Sequence, residues 1–68
     1  MIVISGTMTF RPDRIEDARR EANVIMALSS AEAGCRTYEL STQLKDPLTL
    51  RLFEEWDSAE ALEIRPSP

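Results

Sequence analysis

Cys35-Arg36-Thr37-Tyr38-Glu39-Leu40-Ser41-Thr42-Gln43-Leu44 and Leu48-Thr49-Leu50-Arg51-Leu52-Phe53-Glu54-Glu55-Trp56, separated by Lys45-Asp46-Pro47, decide the fold. Both runs alternate as half-buried strands do. Arg36, Tyr38, Leu40 and Thr42 share one face of the first. In the second, Leu48, Leu50, Leu52 and Trp56 oppose Thr49, Arg51, Phe53 and Glu55. Proline presets a turn dihedral and cannot donate to a ladder, so Lys45-Asp46-Pro47 reads as the turn of a hairpin.

Upstream, Asp13 reads as a helix N-cap with Glu16 three residues on, the spacing of a capping box. Ile15, Ala18, Ala22, Ile25 and Leu28 follow at helical spacing with Met26 beside them, and Glu16 to Arg20 is a favourable i, i+4 pair. Gly34 is the expected stop. Before Arg11-Pro12 lies another strand, Ile2 to Phe10, with Ile2, Ile4, Met8 and Phe10 on one face and Val3, Ser5, Thr7 and Thr9 on the other. After Trp56, Asp57 with Glu60 repeats the capping pattern and opens a short helix through Ala61, Leu62 and Ile64, ended by Pro66 and Pro68. The order is strand, helix, strand, strand, helix: an α+β, ferredoxin-like split βαβ arrangement lacking its final strand.

The 68 residues make one domain. So small a globule hides only ~60% of its unfolded surface and keeps roughly 3–5 kcal/mol of net stability. One cysteine excludes an internal disulfide, and the absence of histidine leaves no zinc-ligand set. Self-association is the remaining support, so a homo-oligomer is expected, most simply a dimer. A net charge of −4, with 8 Lys and Arg against 12 Asp and Glu, argues against nucleic acid. The apolar N-terminal run has no preceding cation and is too short for a membrane span. The expected setting is cytoplasmic, with Cys35 a reduced thiol.

Several segments resemble the antibiotic biosynthesis monooxygenase (ABM) family. They are Met1-Ile2-Val3-Ile4-Ser5-Gly6-Thr7 with Arg11-Pro12, Glu32-Ala33-Gly34-Cys35-Arg36-Thr37-Tyr38-Glu39-Leu40, Asp46-Pro47, and Glu54-Glu55-Trp56-Asp57-Ser58-Ala59-Glu60-Ala61-Leu62. The resemblance implies a dimeric α/β barrel whose two sheets pack face to face. Its catalytic members oxidise aromatic polyketides, anthrones or quinols with O₂ and no flavin or metal, so no cofactor is expected. Such chemistry needs an electron-rich substrate whose anion can itself reduce oxygen. The protein supplies desolvation, orientation and anion stabilisation.

Departures from the family pattern are specific. Family members continue through a histidine and a Pro-His turn into a fourth strand, whereas Arg65 stands at the histidine position and the chain ends at Ser67-Pro68. Where quinone-forming members carry a polar residue and a tyrosine around the shared tryptophan, this chain has Leu52 and Leu62. The first-strand asparagine of the haem-degrading branch falls at Gly6, which argues against that chemistry.

Each candidate has a plainer reading beside its functional one. Trp56 can floor an aromatic-substrate cavity with Leu52, Leu62 and Met8, or simply be core at a strand end. Tyr38 can donate to a substrate oxygen, or pack its ring and show its hydroxyl to water. Glu54 on the Trp56 face can act as a general base, or be the strand's solvated end. Cys35 has no histidine to activate it and fits a small structural position. The leading expectation is a cofactor-independent monooxygenase of a small aromatic or quinol substrate. Its rival is a non-catalytic homo-oligomeric ligand-binding or interaction module.

Overall fold

Strand β3 (Asp46–Trp56) is the middle of a three-stranded sheet in the computed structural model, which describes residues 1–63. Strands β1 (Ile2–Thr9) and β2 (Cys35–Gln43) flank it, each antiparallel to it, in the order β1-β3-β2. The flanking strands therefore run parallel with β3 between them, and helix α1 (Ile15–Ser30) makes the crossover. Short helix α2 (Ala59–Glu63) follows β3. This is the α+β, ferredoxin-like split βαβ order expected from the alternation pattern. Ile64, Arg65, Pro66 and Pro68, and with them the expected end of the second helix and the family histidine position, lie outside the described residues.

The hairpin turns earlier than Pro47 suggests. Gln43 pairs with Asp46, leaving Leu44 and Lys45 as the turn. Asp46 explains how a proline enters the strand. Its carboxylate accepts the Leu48 amide at 3.2 Å and the Thr49 hydroxyl at 2.6 Å. The strand is thereby ordered around a residue with no N–H, and a register shift between Thr42 and Gln43 accompanies it.

Helix α1 buries Ile15, Ala22 and Ser29, seven residues apart. Seven residues are nearly two turns, so the buried line drifts little from one to the next. Leu28, expected on this stripe, is 64% exposed, because position 29 rather than 28 completes two turns from Ala22. The helix packs on the face of β3 that carries Leu50. Ile15, Ala22 and Leu50 form the core, with Phe10, Ala18, Leu40 and Leu48 against it. The expected capping box is absent. Asp13 turns its carboxylate to Arg11 at 3.4 Å, and the N-cap is Arg14, with no side-chain cap bond. The surface ion pairs are also i, i+3 rather than i, i+4: Arg19 takes Glu16 and Arg20 takes Asp17, so each cation has its own acid.

Gly34 lies beyond the helix end in the left-handed region, φ +84°. A Cβ there would come within 2.4 Å of the Ala61 Cβ, so the position also needs the missing side chain. Helix α2 is opened by Ser58, whose Oγ accepts the Ala61 amide at 3.2 Å, rather than by Asp57. Asp57 is instead hydrogen-bonded and ion-paired to Arg36. No helix among the described residues is long and apolar enough to cross a membrane.

Candidate functional site

Register places the candidate residues in rows across the helix-covered face. Trp56 lies between Ile2 and Cys35, and Glu54 between Ile4 and Tyr38. Leu52 then lies between Gly6 and Leu40, and Leu50 between Met8 and Thr42. Residues directly opposite in a ladder point the same way, so each row is a strip of one surface. A bulge makes the first rows possible. Between Cys35 and Thr37 the register shifts by one, so Arg36 is the extra residue. Cys35 and Tyr38 thereby reach the same face although three apart, while Arg36 turns out to Asp57. That hydrogen bond, with the coulombic attraction of the same carboxylate, raises the Arg36 pKa above its ordinary value.

Tyr38, Glu54 and Trp56 are brought together. Trp56 is fully buried, and its Nε1–H donates to Glu54 Oε1 at 2.8 Å. Glu54 is 4% exposed and Tyr38 8%. That bond, between two buried side chains, holds Glu54 in one orientation. Glu55, the next residue, goes to the other face and accepts the Thr37 hydroxyl at 2.6 Å. The Cys35 thiol lies 3.6 Å from the Thr37 carbonyl.

Met8, Leu52 and Leu62 are not gathered around the tryptophan in one cavity. Met8, 46% exposed, lines a groove of about 560 Å³ between the sheet and α1, with Phe10, Ala18, Ala22, Leu40 and Leu50. Leu52 is half-buried one row nearer Glu54, and Leu62 is half-buried on α2. Arg14, Arg20, Asp17 and Glu21 line the same groove, and the Asp17–Arg20 pair neutralises itself. Neither this groove nor a smaller one of about 220 Å³ beside Met26 is lined by Tyr38, Glu54 or Trp56.

The groove and the buried carboxylate share one surface but lie apart along it. Four residues of strand separate Leu50 from Glu54, roughly 13 Å. Between them is the Gly6 row, where a built Cβ would meet no atom within 4 Å. Sequence reasoning missed the groove, although its signal was present. Two alanines, Ala18 and Ala22, occupy the apolar stripe where larger residues would fill it. Among the described residues no three Cys, Asp or Glu side chains converge so as to hold a metal ion.

Comparison with known proteins gives a consistent picture. The family profile described as antibiotic biosynthesis monooxygenase matches residues 1–65. Among solved structures, a Deinococcus radiodurans protein provisionally named an antibiotic biosynthesis monooxygenase is 28% identical, with a TM-score of 0.85 over 91% of this chain and 62% of that one. Rv0793 from Mycobacterium tuberculosis is 32% identical, with a TM-score of 0.81 over 93% and 62%. PA3566 from Pseudomonas aeruginosa is 36% identical, with a TM-score of 0.80 over 90% and 61%. The chain thus spans about three fifths of the length of the solved structures it matches. No curated protein matches it significantly.

Proposed function

The chain belongs to the antibiotic biosynthesis monooxygenase family, and from that premise we propose that it serves a cofactor-independent oxidation of a small aromatic or quinol-type substrate by O₂. The observation that carries this reading is the buried Glu54 carboxylate, fixed by the Trp56 indole and directly opposite Tyr38. A substrate in the α1 groove that extends over Gly6 would bring an acidic C–H or O–H toward Glu54, which takes the proton. Tyr38 donates to the developing oxyanion, and the electron-rich anion then reduces O₂. A carboxylate held in one orientation inside an apolar wall needs little reorganisation when the proton moves. Met8 belongs to the apolar wall of the groove, and Leu52 stands beside Gly6 in the row toward Glu54.

The same reading has the protein cytoplasmic and working as a homodimer. Exposed apolar side chains on both layers, Val3 and Met8 on β1 and Val24 and Leu28 on α1, support self-association.

Oxygen-electrode measurements with a panel of anthrones and hydroquinones test the proposal. Uptake above buffer that disappears in Glu54→Gln is expected. Uptake no faster than buffer across the panel would end the oxygenase reading.

One observation favours the rival reading, a non-catalytic ligand-binding or interaction module. Trp56 is entirely buried, its N–H is already given to Glu54, and neither groove reaches it. Tight binding of an aromatic ligand in the groove, without oxygen uptake, would select that module.

A further inference from the structure

Two acids stand within reach of the cation at the start of β2, and which of them holds it decides what faces Glu54. Without a bulge, the Cys35–Trp56 pair would continue as Arg36 opposite Glu55, Thr37 opposite Glu54 and Tyr38 opposite Phe53. That plain ladder carries a favourable charge pair of its own, since opposite charges facing each other across strands attract. It also turns Tyr38 to the other side of the sheet, because a slip of one residue exchanges the two faces. In the observed register Thr37 opposes Glu55 and Tyr38 opposes Glu54, with Arg36 as the extra residue. Glu55 is occupied there by the Thr37 hydroxyl at 2.6 Å, and Arg36 goes to Asp57. Glu55 still attracts Arg36 through space, less strongly than Asp57 does.

Asp57 grips the chain on both sides of Cys35. Its amide donates to the Gly34 carbonyl at 2.8 Å, and its carboxylate takes the Arg36 guanidinium. The far half of β2 is held separately, by Leu40 packed against the core and by the Leu40 amide on the Met26 sulfur at 3.2 Å. Tyr38 stands midway, two residues from Arg36 and two from Leu40. We propose that Asp57 is a positioning residue: by taking Arg36 away from Glu55, it keeps β2 in the bulged register that sets Tyr38 beside Glu54. For its catalytic consequence the inference rests on the oxygenase reading above, while its structural part stands without it. The two side chains of the pair are 61% and 52% exposed, so losing the pair costs little global stability. What it changes is local, namely which residue of β2 faces the buried carboxylate.

Cross-strand nuclear Overhauser contacts read the register directly. The parent should show Tyr38 against Glu54 and Thr37 against Glu55. In Asp57→Ala, contacts of Arg36 with Glu55 and of Thr37 with Glu54 are expected to replace them, with a urea midpoint near the parental one. Adding Glu55→Gln removes the competing charge but leaves an oxygen for Thr37, and should bring the parental contacts back. A contribution of Asp57 to stability alone gives the reverse, a double variant no better than Asp57→Ala. Where the parent takes up oxygen with substrate, kcat should fall about 10- to 100-fold in Asp57→Ala with KM little changed, the scale of a misplaced catalytic group. It should recover in the double variant. Should Asp57→Ala not fold, Asp57→Asn carries the same comparison, since it keeps the amide to Gly34 and an uncharged oxygen for Arg36. Parental contacts in the folded single variant, or a double variant that fails to restore them, would overturn the positioning role. A parent without oxygen uptake ends the oxygenase reading, and the contacts then decide the register claim by themselves.

Discussion

The indole N–H of Trp56 and the carboxylate of Glu54, two residues apart on one face of β3, are joined by a 2.8 Å hydrogen bond in the most buried part of the sheet. The bond ties a carboxyl group to the largest fully buried side chain, so structure and proposed chemistry depend on the same contact. Its two halves can be separated by mutation.

Glu54→Gln keeps an oxygen for the indole and removes the charge. The urea midpoint should stay close to that of the parent, while substrate-dependent oxygen uptake falls roughly 100-fold or more, the scale of a lost general base. Unchanged uptake in a folded Gln variant would remove Glu54 from the mechanism.

Trp56→Phe leaves the Glu54 carboxylate buried without its indole donor. Destabilisation of about 1–3 kcal/mol is expected from that loss alone. Trp56→Ala adds a cavity and should cost about 3–5 kcal/mol. That matches the whole stability of so small a core, so circular dichroism should show the Ala variant largely unfolded, and a cooperative melt near the parental midpoint would contradict the assigned packing.

The two glycines should respond in opposite directions. Gly34→Ala meets both a positive φ and the Ala61 Cβ, and should lose more than roughly 1 kcal/mol. Adding Ala61→Gly should return only the steric part, which a double-mutant cycle in urea can read. Gly6→Ala meets nothing and relieves a flexible strand position, so it should gain up to about 0.5–1 kcal/mol.

Met26→Leu conserves volume but offers no acceptor to the Leu40 amide. Stability should change by less than about 1.5 kcal/mol. The Leu40 amide should nevertheless exchange with deuterium faster than its neighbours in β2. Equal protection in both proteins would show that the sulfur contact does not close that edge.

The Arg36–Asp57 pair is exposed, and its guanidinium pKa is raised, so the arginine charge survives at any working pH. By sign, a raised pKa contributes stability that is lost only as pH climbs through the folded value, beyond the range in which proteins are handled. Salt rather than pH should therefore reveal the pair. Arg36→Ala should lower the melting temperature in dilute buffer, and the difference from the parent should shrink in molar salt.

Much of the fold was legible because it is written locally. Alternation in Leu48 to Trp56 identified β3 and put Glu54 on the Trp56 face, and helical spacing from Ile15 identified α1. The errors fall where two local signals compete. Pro47 suggested a turn, yet the Asp46 side chain substitutes for the missing amide and lets the proline open a strand. Asp13 resembled a cap, but Arg11 is the nearer partner for its carboxylate. Leu28 looked apolar enough to be buried, while helix geometry selects Ser29.

The candidate site was legible only in its membership. Tyr38 and Glu54 are sixteen residues apart in the chain, and only the register of β2 on β3 sets them side by side. That register depends on the Arg36 bulge, which no period in the sequence announces. By itself, then, the sequence determined the order of elements, the face of each residue and the family motifs, since backbone period and side-chain chemistry are properties of neighbours. The tertiary structure decided that Trp56 is closed off and that the groove opens by Met8 instead. Those facts follow from hydrogen-bond phase and packing between segments that meet only once the chain has folded.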